Sequence, residues 1–480
     1  MDTTKVRNFV NQLWDDEIIP QLFEYIKIPN KSPNFDPDWE KHGYMDQAVD
    51  LALKWVESQP VKGMQAEIVR LPGYTPLLFV EVEAFGDAPD KDNGQQDDPV
   101  LLYGHLDKQP EFTGWEDGLG PWKPVIRDDK LYGRGGADDG YAVFGSLTAI
   151  RALQEQGIAH RRCVLVIECC EESNSEGLPE YIDHLKDRIG EPSLVVCLDA
   201  GCGNYEQLWI TTSLRGNIVG NLRADVLTEG VHSGMASGIT ASSFRILREL
   251  LDRIEDTETG ALKVDEINAD IPQNRQEEAK HAAEVLGEHA NHDLPFIDGM
   301  QAMSDNAYEL VLNNTWRPML AITGQDGMPE LGMAGNTLRP YTTLKLSFRT
   351  PPTVDAGKAA KAVKKAIEEK PALYGAKAEF SIGSAASGWD APAVAPWLHN
   401  SMNKASQEYF GKDVVYWGMG GSIPFMGLLA EKFPDSQFIV TGLLGPKSNA
   451  HGPNEFLHIP MGKKLTMCVA NVIADHFERK

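Results

Sequence analysis

Three strand-like apolar runs, Val100–Tyr103, Cys163–Cys170 and Leu194–Leu198, each end within two residues of a group that can bind a metal or carry a proton. Helical patterns separate them: Tyr141–Gln156 places Val143, Phe144, Leu147, Ile150 and Leu153 on one face, and Gly157 suits its C′ position. Near-continuous apolar strands alternating with helices belong to a largely parallel sheet covered by helices. In such open sheets the carboxyl ends of the strands line one crevice. The chain is therefore expected to gather His105 and Asp107, Asp138 and Asp139, Glu171 and Glu172, Asp199 and His451 at a single rim.

These residue types carry a specific chemistry. His105 and Asp107 are an i, i+2 pair, which an extended strand projects to one face. His105 can then ligate a metal while Asp107 accepts its other ring N–H and fixes the tautomer. The Gly-rich segment Leu131–Gly140 ends in two adjacent acids, of which Asp139 could instead cap the following helix. Taken singly, Glu171-Glu172 could be a solvated pair, Asp199 a turn residue before Gly201, and His105 or His451 a structural histidine. Together, two imidazoles and several carboxylates form an N/O set that suits Zn²⁺ and tolerates Mn²⁺ or Co²⁺. If one carboxylate bridges, five ligands hold two metals. The Gly133–Gly136 turn lacks the Gly-Lys-Ser/Thr of a phosphate loop, and no Gly-x-Gly-x-x-Gly opens a helix, so nucleotide binding has little support.

Length bounds the architecture: 480 residues exceed what one core usually serves. Helices are expected over about 4–27 and 43–58, strands at Gln65–Val69 and Leu77–Glu83, and an exposed loop at Gly86–Asp98. After Thr212 the rhythm changes to alternating segments, Gly216–Val226 and Thr342–Phe348, with helical patterns at Ser242–Ile254 and Asp355–Glu369. A polar, helix-prone stretch, Asp265–Asn314, lies between them, and Ala378–Ile382 reads as a last strand. The parallel rhythm resumes with a helix at Pro396–Tyr409, a strand at Gln437–Leu443 and a closing helix from about Met461. The expected fold is thus α/β: a catalytic domain of residues 1–211 and 385–480, with an α+β domain, 212–384, inserted into it. The net charge of −25 would repel a nucleic-acid backbone, so no nucleic-acid partner is expected. Six cysteines without a CxxC pair read as reduced and buried. With neither a secretory apolar region nor a membrane-length apolar stretch, the expectation is a cytoplasmic protein without a membrane partner.

Gly104-His-Leu-Asp107, Arg134-Gly-Gly-Ala-Asp138-Asp139, Glu171-Glu172-Ser-Asn-Ser-Glu-Gly177, Asp199, His232-Ser-Gly234, Gly420-Gly-Ser-Ile-Pro424 and Ala450-His451-Gly-Pro-Asn-Glu455 together resemble the M20 metallopeptidases. The Gly-Ser-Ile-Pro motif and the long middle insert look most like the carnosinase-type, or cytosolic non-specific, dipeptidases. The resemblance implies that His105 and Asp199 bind one zinc, Glu172 and His451 the other, and that Asp138 bridges them ahead of a cis peptide bond. It implies that Glu171 is the general base toward a metal-bridging water and that Asp107 orients His105. It further implies that the inserted domain is a lid and homodimerisation domain whose His232 reaches the partner's site to stabilise the oxyanion. Arg349 would bind the substrate carboxylate, with Asn336, Gly421 and Ser422 as further substrate contacts. The chain departs from the carnosinase-type pattern at Gly418-Met419, where Arg-Glu would stand, and in Ser381–Gly388, which lacks a His. The activity implied is a dinuclear-zinc dipeptidase acting on substrates with a free C-terminal carboxylate. The alternatives are an N-acyl-amino-acid amidohydrolase using the same metals and arginine, and a non-catalytic dimeric binding protein.

Overall fold

A computed structural model describes residues 1–86, 98–291 and 294–479; the loop expected at Gly86–Asp98 lies almost wholly outside them. Six strands form the main sheet in the order Met64–Val69, Leu77–Val82, Cys163–Glu168, Val100–His105, Leu194–Cys197, Gln437–Val440. The last four run parallel, and the first two are an antiparallel hairpin added at one edge. Both faces are covered. Leu102, Leu165 and Val196 enter one core, while Leu101, Val164 and Val195 enter the other. That alternation of two buried faces is why these strands read as unbroken apolar runs.

The helices that cover the first face include the N-terminal one, which runs Thr3–Leu13, tightens through a π segment at Trp14–Ile18 and continues as Ile19–Ile26. Its Val6, Val10, Trp14, Ile18 and Leu22 are fully buried. Trp14 donates its ring N–H to Thr466 Oγ1 at 3.1 Å, tying it to the closing helix Ile459–Glu478. Leu178–Ile189 and Pro424–Lys432 cover the other face.

The middle of the chain contains an all-antiparallel sheet, ordered Met319–Asp326, Tyr341–Thr350, Gly216–Asp225, Lys377–Ala386. Its inward side chains pack with Ser243–Asp252 and Ala356–Glu368 into a separate core. Two features were not anticipated. Trp209–Leu214 is a strand held between Trp389–Asp390 and Val415–Met419. Helices Gln273–Leu286 and Ala307–Thr315 pack through Ala279, Ala282, Val311 and Leu312 into the core of the main sheet, beside Trp209 and Trp417. All six cysteines are free and buried. Among the described residues no helix is long and apolar enough to cross a membrane.

Candidate metal centre

The register of the central strand assembles the site. Val100–His105 lies between Cys163–Glu168 and Leu194–Cys197, with His105 opposite Glu168 and Tyr103 opposite Cys197. The segments that leave these strands, carrying Asp107, Glu171-Glu172 and Asp199, therefore start at one rim. His105 is fully buried. Its Nδ1 lies 3.1 Å from the Asp107 backbone carbonyl oxygen and 3.4 Å from Asp107 Oδ1. A carbonyl can only accept, so Nδ1 carries the proton and Nε2 is left with its lone pair. The Asp107 carboxylate meets two other donors, the backbone N–H groups of Glu171 at 3.1 Å and Glu172 at 3.0 Å.

Asp138 comes from the Gly-rich turn, and the Asp138–Asp139 peptide is cis. Its Oδ1 is 3.3 Å from His105 Nε2 and its Oδ2 is 3.0 Å from His451 Nε2, so one carboxylate spans both imidazoles. His451 Nε2 is also 3.4 Å from Glu172 Oε2. Asp139 does not cap the helix that follows, which has no side-chain cap; its Oδ2 lies 3.4 Å from the His105 backbone N–H. His451 itself has φ +66°, a backbone region costly for an L residue and frequent at functional loops.

A buried ion pair holds the two loops together. Arg134 and Glu455 bond side chain to side chain, Gly135 N–H donates to Glu455 Oε1 at 2.8 Å, and Arg134 Nη2 donates to Gly452 O at 2.8 Å. This pair fixes the Asp138 turn against the His451 loop. Its partners lie far apart in sequence, so nothing in the sequence joined them, although both stand within the motifs that carried the resemblance. Gln109, whose Nε2 donates to Glu172 Oε2 at 2.5 Å, had no sequence signal at all.

The donor set fits metal ions. His105, Glu171 and Asp199 place ligand atoms within 4.8 Å of one another, as do Asp138, Glu172 and His451. His105 Nε2 and Asp138 Oδ2 are buried without a hydrogen bond of acceptable geometry, an expensive condition that coordination would relieve. Burial, followed by the Asp199 carboxylate, pushes the Glu171 carboxyl well above its ordinary range. Burial, followed by Asp138, does the same to Glu172. For Asp138 burial acts in the same sense but is outweighed by the two histidines, which hold its carboxyl low. Crowded carboxylates that raise one another mark a volume short of positive charge.

The remaining expected residues fall into two places. Arg349 Nη1 donates to Ser422 Oγ at 3.0 Å, and Ser422 donates to Arg215 O at 2.5 Å. Arg349 and Gly421 both line a cavity of about 460 Å³. His232 and Asn336 instead sit together on an exposed surface, where the two-residue strand Val231–His232 pairs with Thr337–Leu338 and Ser233 N–H donates to Asn336 O at 2.8 Å. Among the described residues, no hydrogen bond or ion pair links either of them to the metal ligands.

Residues 101–475 match peptidase family M20/M25/M40. The chain belongs to that family. This M20 peptidase is 27% identical over 412 residues to a cysteinylglycine-S-conjugate dipeptidase of Corynebacterium striatum, covering 84% of this chain and 85% of the relative. It is 25% identical over 383 residues to the human Beta-Ala-His dipeptidase, covering 76% and 71% respectively. Its fold is that of human carnosine dipeptidase 1, with a TM-score of 0.78 and 21% identity, over 100% of this chain and 99% of that one. The structure of the dipeptidase Dug1p from Saccharomyces cerevisiae aligns with a TM-score of 0.76 at 20% identity, over 100% and 99%. The M20 peptidase is thus an α/β metallopeptidase, as its motifs imply.

Proposed function

We propose that the chain is a dinuclear-metal dipeptidase, most consistent with zinc, that hydrolyses small peptides bearing a free C-terminal carboxylate. The observation that carries this reading is the pair of N/O clusters, one containing Glu171 and the other containing Asp138, whose carboxylate spans His105 and His451. His105 and Asp199 would hold one metal, Glu172 and His451 the other, and Asp138 both. Bound metal would polarise the scissile carbonyl and lower the pKa of a coordinated water to about 7. The relatives' names favour dipeptides over N-acyl amino acids.

The rest is done by the chain's own residues. Arg349 grips the substrate carboxylate, since Ser422 is its one described hydrogen-bond partner and most of its guanidinium remains available. Glu171 accepts the proton of the attacking water and returns it to the leaving amine; a carboxyl raised by burial suits both transfers near neutral pH. His232 acts on the developing oxyanion from the partner of a homodimer, because in its own protomer it stands exposed on the surface beside Asn336.

Glu171→Gln decides the matter. The variant should retain its metal by elemental analysis and lose dipeptide hydrolysis by about 10³-fold. Turnover close to wild type, with metal bound, would remove Glu171 from the reaction.

A further inference from the structure

The cavity beside Arg349 has a chemical character that the metal chemistry does not require. One wall is the loop Gly201–Gly203, which follows Asp199, and another is the turn that ends the strand Val415–Met419. Cys202, Leu294, Trp417, Met419, Leu444 and Pro446 supply its apolar surface. No aspartate or glutamate stands among the described residues that line it, although the chain as a whole carries 70 acids against 45 bases. Among the described lining residues the formal charges are Arg215, Arg349 and Lys447, and His289 also lines the cavity.

Met419 holds the decisive position. Its Sδ accepts the Gly201 N–H at 3.1 Å, and its Cε and Sδ lie 3.3 and 3.4 Å from where a Cβ on Gly201 would stand. The thioether is therefore packed against the chain two residues beyond Asp199, while the residue remains partly accessible. Arg215 is buried and spends its guanidinium on carbonyl oxygens, Gly420 at 3.2 Å, Asn313 at 3.1 Å and Arg317 at 3.3 Å. Burial and the Arg349 charge push it down to about 10. A cationic side chain entering here would lose its water, meet two arginines and find no carboxylate among the described residues that line the cavity.

We propose that this cavity is the side-chain subsite for one residue of the substrate, that it takes bulky uncharged side chains, aliphatic or thioether, and that Met419 sets its selectivity against cations. The proposal rests on the dipeptidase reading above and narrows its substrates. Flexible, polarisable methionine adapts to varied apolar shapes, so the selection is for class rather than for one side chain.

The test uses the full-length zinc-loaded enzyme and two dipeptide series, Xaa-Gly and Gly-Xaa, with Leu, Met, Gln, Glu and Lys as Xaa. In one series kcat/KM for Leu and Met should exceed that for Lys by about 100-fold. Met419→Glu should raise Lys by at least about 10-fold and lower Leu, while Met419→Leu should keep the wild-type order, with thermal melting confirming that both fold. The wild-type series alone decides if the Glu variant fails to fold. Lys cleaved as well as Leu in both series, or Glu preferred to Leu in the selective one, would overturn the subsite while leaving the dipeptidase reading intact. Hydrolysis of no dipeptide at all would remove both.

Discussion

Asp107 supports three other residues at once. Its carbonyl orients His105, and its two carboxylate oxygens accept the backbone N–H groups of Glu171 and Glu172. Asp107→Asn keeps the shape but turns an NH₂ against one of those N–H donors, so the acidic turn must shift. Outer partners of this kind typically affect metal affinity 10- to 100-fold. The variant should lose affinity by about that factor in a chelator competition while its melting temperature changes little. Beneath the turn, Glu168 accepts Tyr103 O–H at 2.6 Å and Ser175 O–H at 2.8 Å, and burial, followed by Asp107, raises its carboxyl to about 7. Because the folded value exceeds the ordinary 4.5, its stabilising contribution is complete below about pH 4.5 and is lost as pH rises through 7. Metal-free Glu168→Gln should therefore gain about 3 kcal/mol relative to wild type between pH 4.5 and pH 8, read from urea unfolding at each pH. An unchanged difference across that range would show that folding leaves the Glu168 carboxyl at its ordinary value.

Between elements, the Arg134–Glu455 pair carries the greatest structural consequence, since it joins the turn bearing Asp138 to the loop bearing His451. Both side chains are buried, and removing one partner of such a pair leaves an uncompensated charge that costs about 3–5 kcal/mol. Glu455→Ala should be destabilised by that amount and should bind the second metal more weakly than the first, because His451 loses its anchor while His105 and Asp199 do not. Metal stoichiometry titrated against unfolding free energy checks both. The sequence was legible where chemistry coincided with strand ends: His105, Glu171 and Asp199 follow apolar runs whose parallel pairing is visible in the residues themselves. It was silent where pairing is remote or polarity misleads. Trp209–Leu214 escaped notice because Thr211, Thr212 and Ser213 look like surface residues, yet all three are buried, with Thr212 bonded to Glu278 and the Trp417 carbonyl. The polar stretch 265–314 read as helical and as part of the inserted domain, 212–384, yet its helices join the core of the main sheet. That is decided by Ala279 and Ala282 meeting the main sheet's core beside Trp209 and Trp417, a contact no local pattern encodes.

At the scale of the whole molecule, the protomer alone gives His232 no role. It lies on an exposed surface flanked by Met235 at 75% and Ile239 at 85% exposure, with Leu331 at 95% and Met333 at 79% on the segment that leads to Asn336. Large apolar side chains clustered so openly are costly in water and suit a self-complementary interface. The proposed homodimer, formed through this surface, would cover them and would carry His232 into the second subunit's cleft. Leu331→Asp should accordingly shift the mass in solution from dimer to monomer and lower turnover with it. The sharper prediction uses two inactive variants with intact interfaces, Glu171→Gln and His232→Ala, mixed under conditions of subunit exchange. In a mixed dimer with His232 acting across the interface, one site carries both defects and the other carries neither. An equimolar mixture then recovers about a quarter of wild-type activity, because half the dimers are mixed and each has one intact site. If His232 served its own protomer, every site would keep one defect and the mixture would stay inactive.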